Sequence, residues 1–441
     1  MPRMPLDKSK FTTSRGSRFF KLGRLSSAVG SSYLGESIKG VFLGAEAKAK
    51  SLMTTNTKNA LRVAAAFGEL KGAVMKVGQM MSLQEDLLPP EMRDILRGLQ
   101  NQAPPVPFEQ MRPLLQAELG TAVDAHFAEI SDQAYASASI GQVHWAKLKD
   151  GREVVIKIQY PDVDHMVESD LKNLRMFVGS ATRLMPFKAD IDKFFQEARS
   201  RLTEELDYRL ELQNMLEFRE LFKHDGRFII PTPLQELSSR RVLTSLFQPG
   251  LSGEQICAPE IPQSRRDIIS TALLDAVFRQ FFDFHTLQSD PNLANFAFNE
   301  DDRIIMYDFG CVKRFPSTFV QGVRVLMADA MQAKYGRLEK DLEKLGYIDH
   351  STRKLPLEVY RAYADVGFQK WRRPGLFDFG TTRIHQQVVE LNKQYWTKAL
   401  DYDAPADAMF LNRCLGGMYG NLRKLKARVP MHDLLKKYMR V

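Results

Sequence analysis

Apolar positions change their spacing several times along the chain, and each change marks an element. From Asn59 to Gln100 they recur at helical spacing, and in LLPPEMRDILRGLQ a Pro-Pro pair opens a helix at its first turn, where a missing N–H costs little. QAPPVP predicts a stiff linker and FEQMRPLLQAELG a further short helix. At Tyr135 the texture becomes strand-like: ASASIGQVHWAKL, KDG and REVVIKIQY predict a β-hairpin, with Asp150 and Gly151 at the positive-φ positions of its turn. Two helical stretches follow at about 164–185 and 190–223, then short strands in RFIIPTPLQELSSRRVLTSLF. Beyond Pro249 the pattern is helical to the polar segment MHDLLKKYMRV, except around 287–313, where FAFN, EDD and RIIMYDF predict a second hairpin. The predicted fold class is α+β: a small mixed lobe followed by a larger helical one.

The 441 residues, 44% hydrophobic and 26% charged, have the composition of a globular protein with room for two or three domains. The net charge of +9 is concentrated: residues 1–58 hold eleven Lys/Arg and three Asp/Glu, leaving +1 for the other 383 residues. This favours an anionic surface as partner for the N-terminal segment and argues against nucleic acid as partner of the body. Residues 1–15 are polar. The stretch SRFFKLGRLSSAVGSSYLGESIKGVFLG admits two readings, an amphipathic segment lying on a membrane or a helix pair packed on the body. The Arg/Lys/Ser-rich start also suits an organellar transit peptide. Cys257, Cys311 and Cys414 are too scattered for a disulfide framework or a zinc site, and no apolar run reaches the ~18 residues of a spanning helix.

Four polar stations carry the chemistry. Lys157 lies in VVIKIQY, where alternation sets Val155, Lys157 and Gln159 on one face of a strand and Val154, Ile156 and Ile158 on the other. TEELDYRLELQN reads as one helix, with Glu204, Asp207 and Glu211 close to one stripe and Glu205 about 100° round from Glu204. DPNLAN places Asn295 five residues after Asp290, and Asp308 opens DFG after an apolar strand. A strand lysine that grips phosphates, a helical acid that holds it, a catalytic-loop Asp with a metal-binding Asn, and a metal-binding Asp occur in this order in protein kinases. The order points to ATP with Mg²⁺. The phosphate loop is unusual: in place of GxGxxG the chain has Ala136, Ser137, Ala138, Ser139, Ile140 and Gly141, and side chains there restrict backbone approach to phosphate.

ASASIGQVH, VVIKIQYP, EELDYRLE, QSDPNLANF and YDFG, with KVGQMMS at Lys76 to Ser82, resemble the UbiB family of atypical kinase-like ATPases, in particular its coenzyme Q-associated branch. The likeness runs from TSRGSRFFKLGRL to FLNRCLGGMYGNLRKLKARVP, nearly the whole chain. It implies a bilobal kinase-like fold with a basic segment at 1–58, a helical extension at 59–130, an N-lobe at 131–250 and a helical C-lobe at 251–441. Lys76 and Gln79 would sit on the extension over the active site, where a peptide substrate binds in a protein kinase. Glu205 and Asp207 would form an acidic element facing it, with Glu205 the partner of Lys76. Glu211 would partner Lys157, Asp290 would serve the acceptor, and Asn295 and Asp308 would hold metal. Ser137 departs from the alanine usual in that branch.

The implied function is a Mg²⁺-dependent ATPase supporting ubiquinone biosynthesis or lipid handling at a membrane, with a true small-molecule or protein kinase and a nucleotide-gated scaffold as alternatives. Implied partners are an anionic membrane surface or lipid intermediate and quinone-biosynthesis proteins. Only about a dozen residues precede the matching region, which favours a bacterial cytoplasmic protein peripheral to the inner membrane over one at the mitochondrial matrix face.

Overall fold

The computed structural model describes residues 106–138, 140–164, 191–348, 356–399 and 405–440, with scattered helical positions before 106 and between 167 and 175. The chain divides into two compact units: Met1–Leu212 with Pro233–Phe247, and Gln213–Thr232 with Gln248–Val441.

The first unit is built on helices α1 (Phe108–Leu119) and α2 (Ala122–His126) and strands β1 (Phe127–Ser137), β2 (Gly141–Leu148) and β3 (Glu153–Gln159). Helices α3 (Ile191–Glu205) and α4 (Tyr208–Phe222) follow, then β4 (Phe228–Ile229), which belongs to the second unit, and β5 (Val242–Leu246). The sheet has the order β1-β2-β3-β5, with β1–β2, β2–β3 and β3–β5 all antiparallel. Val154, Ile156 and Ile158 are fully buried on one face of β3, as the alternation predicts.

Three local expectations are corrected. The first strand begins at Phe127, not Tyr135. FAEISDQAYAS is mostly exposed and its pairing with β2 slips at three irregularities, so no period-two apolar signal survives in the sequence. In the β2–β3 turn only Gly151 has positive φ, at 88°. Asp150 instead accepts the Arg152 N–H at 3.0 Å. The acidic stretch is not one helix: α3 ends at Glu205 and α4 starts at Tyr208. Tertiary bonds hold the break open, because the Tyr208 N–H donates to the Arg240 carbonyl (2.9 Å) and the Gln159 amide donates to the Leu206 carbonyl (2.9 Å). In the N-terminal segment, residues 24, 28, 31, 32, 35 and 36 are helical, and the Thr55 hydroxyl donates to Glu36 at 2.9 Å.

The second unit adds β6 (Leu251–Ser252), α5 (Gln263–Phe282), β7 (Thr286–Gln288), β8 (Phe296–Phe298), β9 (Ile304–Met306) and β10 (Val312–Arg314). It continues through α6 (Ser317–Met331), α7 (Leu338–Lys344), α8 (Leu357–Phe368), β11 (Phe377–Asp378), α9 (Ile384–Ala399), α10 (Ala406–Lys424), β12 (Arg428–Val429) and α11 (Met431–Met439). The predicted hairpin is β8–β9, flanked by β6 and β4 in one sheet, while β7 pairs with β10. Buried Asp275 of α5 ties the unit together, accepting from Arg227 (2.6 Å), Lys437 (2.7 Å) and the Tyr438 hydroxyl (2.7 Å). Burial pushes its carboxyl up, but those three hydrogen bonds outweigh burial and hold it below the usual carboxylate range.

Where α1 begins, Gln142 of β2 binds both backbone groups of Val106, accepting its N–H (3.0 Å) and donating to its carbonyl (2.8 Å). The same amide nitrogen lies 2.8 Å from Nε2 of fully buried His144, whose Nδ1 lies 2.8 Å from the Ser131 carbonyl. A carbonyl can only accept, so Nδ1 carries the proton and Nε2 accepts from Gln142. Burial pushes this imidazole below its usual 6.5, although the Ser131 carbonyl and Asp132 oppose the shift. Because the folded pKa is depressed, the stability linked to neutral His144 is present above pH 6.5 and lost as pH falls through the folded value. A urea-unfolding series from pH 7.5 to 5 should therefore show a decline that His144→Gln flattens; equal slopes for both proteins would count against it.

Candidate active site

Lys157 sits at the centre of β3, paired with Val143 on β2 and Leu243 on β5, so its backbone is fixed from both sides. Its Nζ donates to both carboxylate oxygens of Glu211, each at 2.8 Å. The Glu211 side chain keeps 4% of its exposure and that of Lys157 18%. The ammonium also stands 5.0 Å from the ring centroid of Tyr208, the first residue of α4, where a cation–π attraction adds to the ion pair. Glu211 lies in the first turn of α4, where the positive end of the helix dipole favours a carboxylate.

The loop before Lys157 is described except for Ser139. Ala136 and Ser137 are the exposed end of β1, and Ala138 donates its N–H to the Gly141 carbonyl at 2.9 Å. Ile140 buries its side chain in the core. Gly141 opens β2 directly against β3, and a Cβ there would overlap the Ile158 carbonyl oxygen. Its need for glycine thus comes from strand packing.

In the second unit, β7 delivers Gln288 and Ser289 to the DPNLAN turn. Asp290, Asn295 and Asp308 are all half-buried. Asn292 caps the short 3-10 turn Leu293–Asn295 by accepting the Ala294 N–H at 3.1 Å. The Asp290 carbonyl accepts from the Asn295 amide (3.1 Å) and the Gln288 amide (2.8 Å), and Gln288 also reaches the Asp308 carbonyl (3.2 Å). The Tyr307 N–H donates to the Asn295 carbonyl (3.0 Å), which joins the turn to the strand that carries DFG. Asp308 Oδ1 accepts the Gly310 N–H (2.8 Å), orienting the carboxylate. Phe309 is fully buried, with its ring 4.9 Å from Phe218, and its carbonyl accepts from Asn214 (2.9 Å). Asn295 commits its amide nitrogen to Asp290, so its amide oxygen is the atom suited to a cation. An amide oxygen and the Asp308 carboxylate are both hard donors of the kind Mg²⁺ takes.

The remaining predicted residues divide. Lys76 and Gln79 lie outside the described residues. Glu205 is the half-buried last residue of α3. Asp207 is drawn into a local pair: it accepts the Arg209 N–H at 3.1 Å and its guanidinium at 2.8 Å, which hold the carboxyl below its usual range. Sequence reasoning passed over Asn214, Gln288 and Tyr208. Asn214 follows Glu211 by one helical turn, a spacing that could have marked it. Gln288 carries no such signal.

A model of the ABC1 atypical kinase-like domain matches residues 98–342. The chain belongs to this family, the UbiB group, and to its coenzyme Q-associated branch. The atypical kinase COQ8, mitochondrial, of Saccharomyces cerevisiae is 33% identical over 346 residues, which cover 78% of this chain and 68% of the relative. The probable serine/threonine-protein kinase abkA of Dictyostelium discoideum is 30% identical over 447 residues, covering 95% and 78%. A solved structure of Rv3197 from Mycobacterium tuberculosis, in complex with erythromycin, superposes with a TM-score of 0.63 at 28% identity, covering 89% of this chain and 98% of that one. The kinase-like fold expected from sequence is therefore shown.

The buried ion pair makes its own prediction. Glu211→Ala leaves the Lys157 ammonium without its carboxylate and should destabilise the protein by about 3 kcal/mol, the low end for a broken buried pair because Lys157 keeps some solvent contact. The double variant Lys157→Met/Glu211→Leu should recover most of that in chemical unfolding. A double variant as unstable as the single one would count against the pair as the cause.

Proposed function

We propose that the protein is an ATP-binding, Mg²⁺-dependent atypical kinase-like enzyme with ATPase activity that supports isoprenoid-quinone (ubiquinone) biosynthesis or lipid handling at a membrane. The observation that carries this reading is the bidentate Lys157–Glu211 pair, an ammonium locked in place on a rigid strand, in a chain whose Asp290 and Asn295 share one hydrogen-bonded turn that Gln288 ties to the Asp308 backbone. Lys157 orients the α- and β-phosphates, and Glu211 fixes Lys157. Ala136 to Gly141 cover the phosphates, with alanine and serine where a kinase has glycine. Asn295 and Asp308 would hold Mg²⁺, which would supply charge neutralisation at the phosphates. Asp290 orients the acceptor, water or a lipid-like hydroxyl, and takes its proton. The family resemblance gives Lys76 and Gln79, with Glu205 and Asp207, the role of closing the peptide groove.

The quinone assignment rests on the COQ8 likeness, and the mitochondrial relatives favour the matrix face of the inner membrane. No helix among the described residues is long and apolar enough to cross a membrane. Residues 1–58 supply the charge for surface attachment. The abkA likeness favours a second reading, a true kinase, which predicts label transfer from the γ-phosphate to a defined acceptor and its loss in Asp290→Asn.

Asp308→Asn should lower Mg²⁺-dependent ATP turnover by on the order of 100-fold or more. Turnover and Mg-ATP affinity equal to wild type would overturn the assignment. In a deletion strain, wild type but not Asp308→Asn should restore quinone levels. Binding of the full chain to anionic vesicles should weaken steeply with added salt.

A further inference from the structure

Helix α10 contains the stretch FLNRCLGGMYGNLRK, to which the proposed function gives no role. Asp407, Phe410, Cys414, Gly417 and Asn421 follow one another at intervals of three, four, three and four, which places them on one stripe. Each of the five meets the segment from β7 to β10. Asp407 pairs with Lys313 of β10 at 2.7 Å, and the Lys313 ammonium lies 5.2 Å from the Phe410 ring centroid. The Cys414 thiol, pushed up to about 12 by burial, stays protonated and donates to the Gln288 carbonyl at 3.7 Å. Gly417 allows close approach, since a Cβ there would overlap the Pro291 ring. Buried Asn421 donates its amide to the Pro291 carbonyl.

In sequence Asp290 lies between the two backbone points that α10 holds here, Gln288 two residues before it and Pro291 directly after. Pro291 has no N–H, so its carbonyl is the one backbone group through which its own residue can be held by hydrogen bonding. We propose that Asn421 is a positioning residue for Asp290: its hydrogen bond to Pro291 fixes the residue that follows Asp290, and Gly417 opens the space in which that bond forms. The inference rests on the role given to Asp290 above. The stripe as a whole makes α10 a brace along the backbone from β7 through the DPN turn to β10, and the residue that Asn421 grips, Pro291, is the direct neighbour of Asp290 in sequence.

The test uses the full-length protein with Asn421→Ala, Asn421→Ser and Gly417→Ala, the last keeping the amide while adding one methyl against Pro291. Thermal melting identifies the folded variants, a fluorescent ADP analogue with Mg²⁺ reports nucleotide affinity, and steady-state ATP hydrolysis gives kcat and KM. The expected result is kcat lowered between about 10- and 100-fold, with nucleotide affinity and KM within about twofold of wild type, as a misplaced reacting group predicts. Unchanged kcat in any folded Asn421 variant overturns the inference, and so does a loss in which KM and nucleotide affinity fall in step with turnover. Asp290→Asn separates the two claims. Full turnover in that variant overturns the role of Asp290 and the inference with it, whereas lost turnover there beside unchanged kcat in the α10 variants overturns the inference alone.

Discussion

Burying an ammonium costs several kcal/mol unless a carboxylate meets it with good geometry, and the first unit is arranged around that demand at Lys157. Two neighbouring strands fix the backbone of β3, so the side chain leaves the sheet at a set position. Glu211 answers with both oxygens, and it can do so because α4 starts where it does. The start of α4 in turn depends on the break after α3, which Arg240 and Gln159 hold by taking backbone groups that a continuous helix would have used itself. The ion pair therefore depends on the strand pairing and the helix break together, and the same start of α4 sets Tyr208 beneath the ammonium.

The second unit meets a different constraint, the satisfaction of backbone carbonyls in a tight turn. The carbonyls of Gln288, Asp290 and Pro291 are taken by Cys414, by Asn295 and Gln288, and by Asn421. With those groups committed, the turn has few alternative conformations. The Phe309 carbonyl and ring are held by Asn214 and Phe218 in the same manner. Rigid backbone around reactive side chains is what preorganised phosphoryl transfer requires.

The sequence made some parts of this arrangement legible and concealed others. Lys157, Glu211, Asp290, Asn295 and Asp308 stand in short patterns whose order along the chain has few explanations. Strand β3 alternates cleanly because one face is buried. β1 was hidden from Phe127 to Ala134 because an irregular, exposed strand has no apolar rhythm to read. The acidic stretch looked like one helix because local propensity continues through Leu206 and Asp207. Only bonds from Arg240 and Gln159, 32 and 47 residues away in sequence from their partners Tyr208 and Leu206, end it there.

By itself the sequence determined the family, the α+β class and the order of the reactive residues, since these depend on residue types and spacings that are local. The tertiary structure decided which acid holds Lys157 by direct contact, that Gly141 answers to Ile158, and that a helix more than a hundred residues downstream grips the DPN turn. Each of those outcomes is a pairing between segments distant along the chain. A hydrogen bond or a close backbone approach of that kind leaves no periodicity in either partner, so it becomes visible only when the chain has brought the two together.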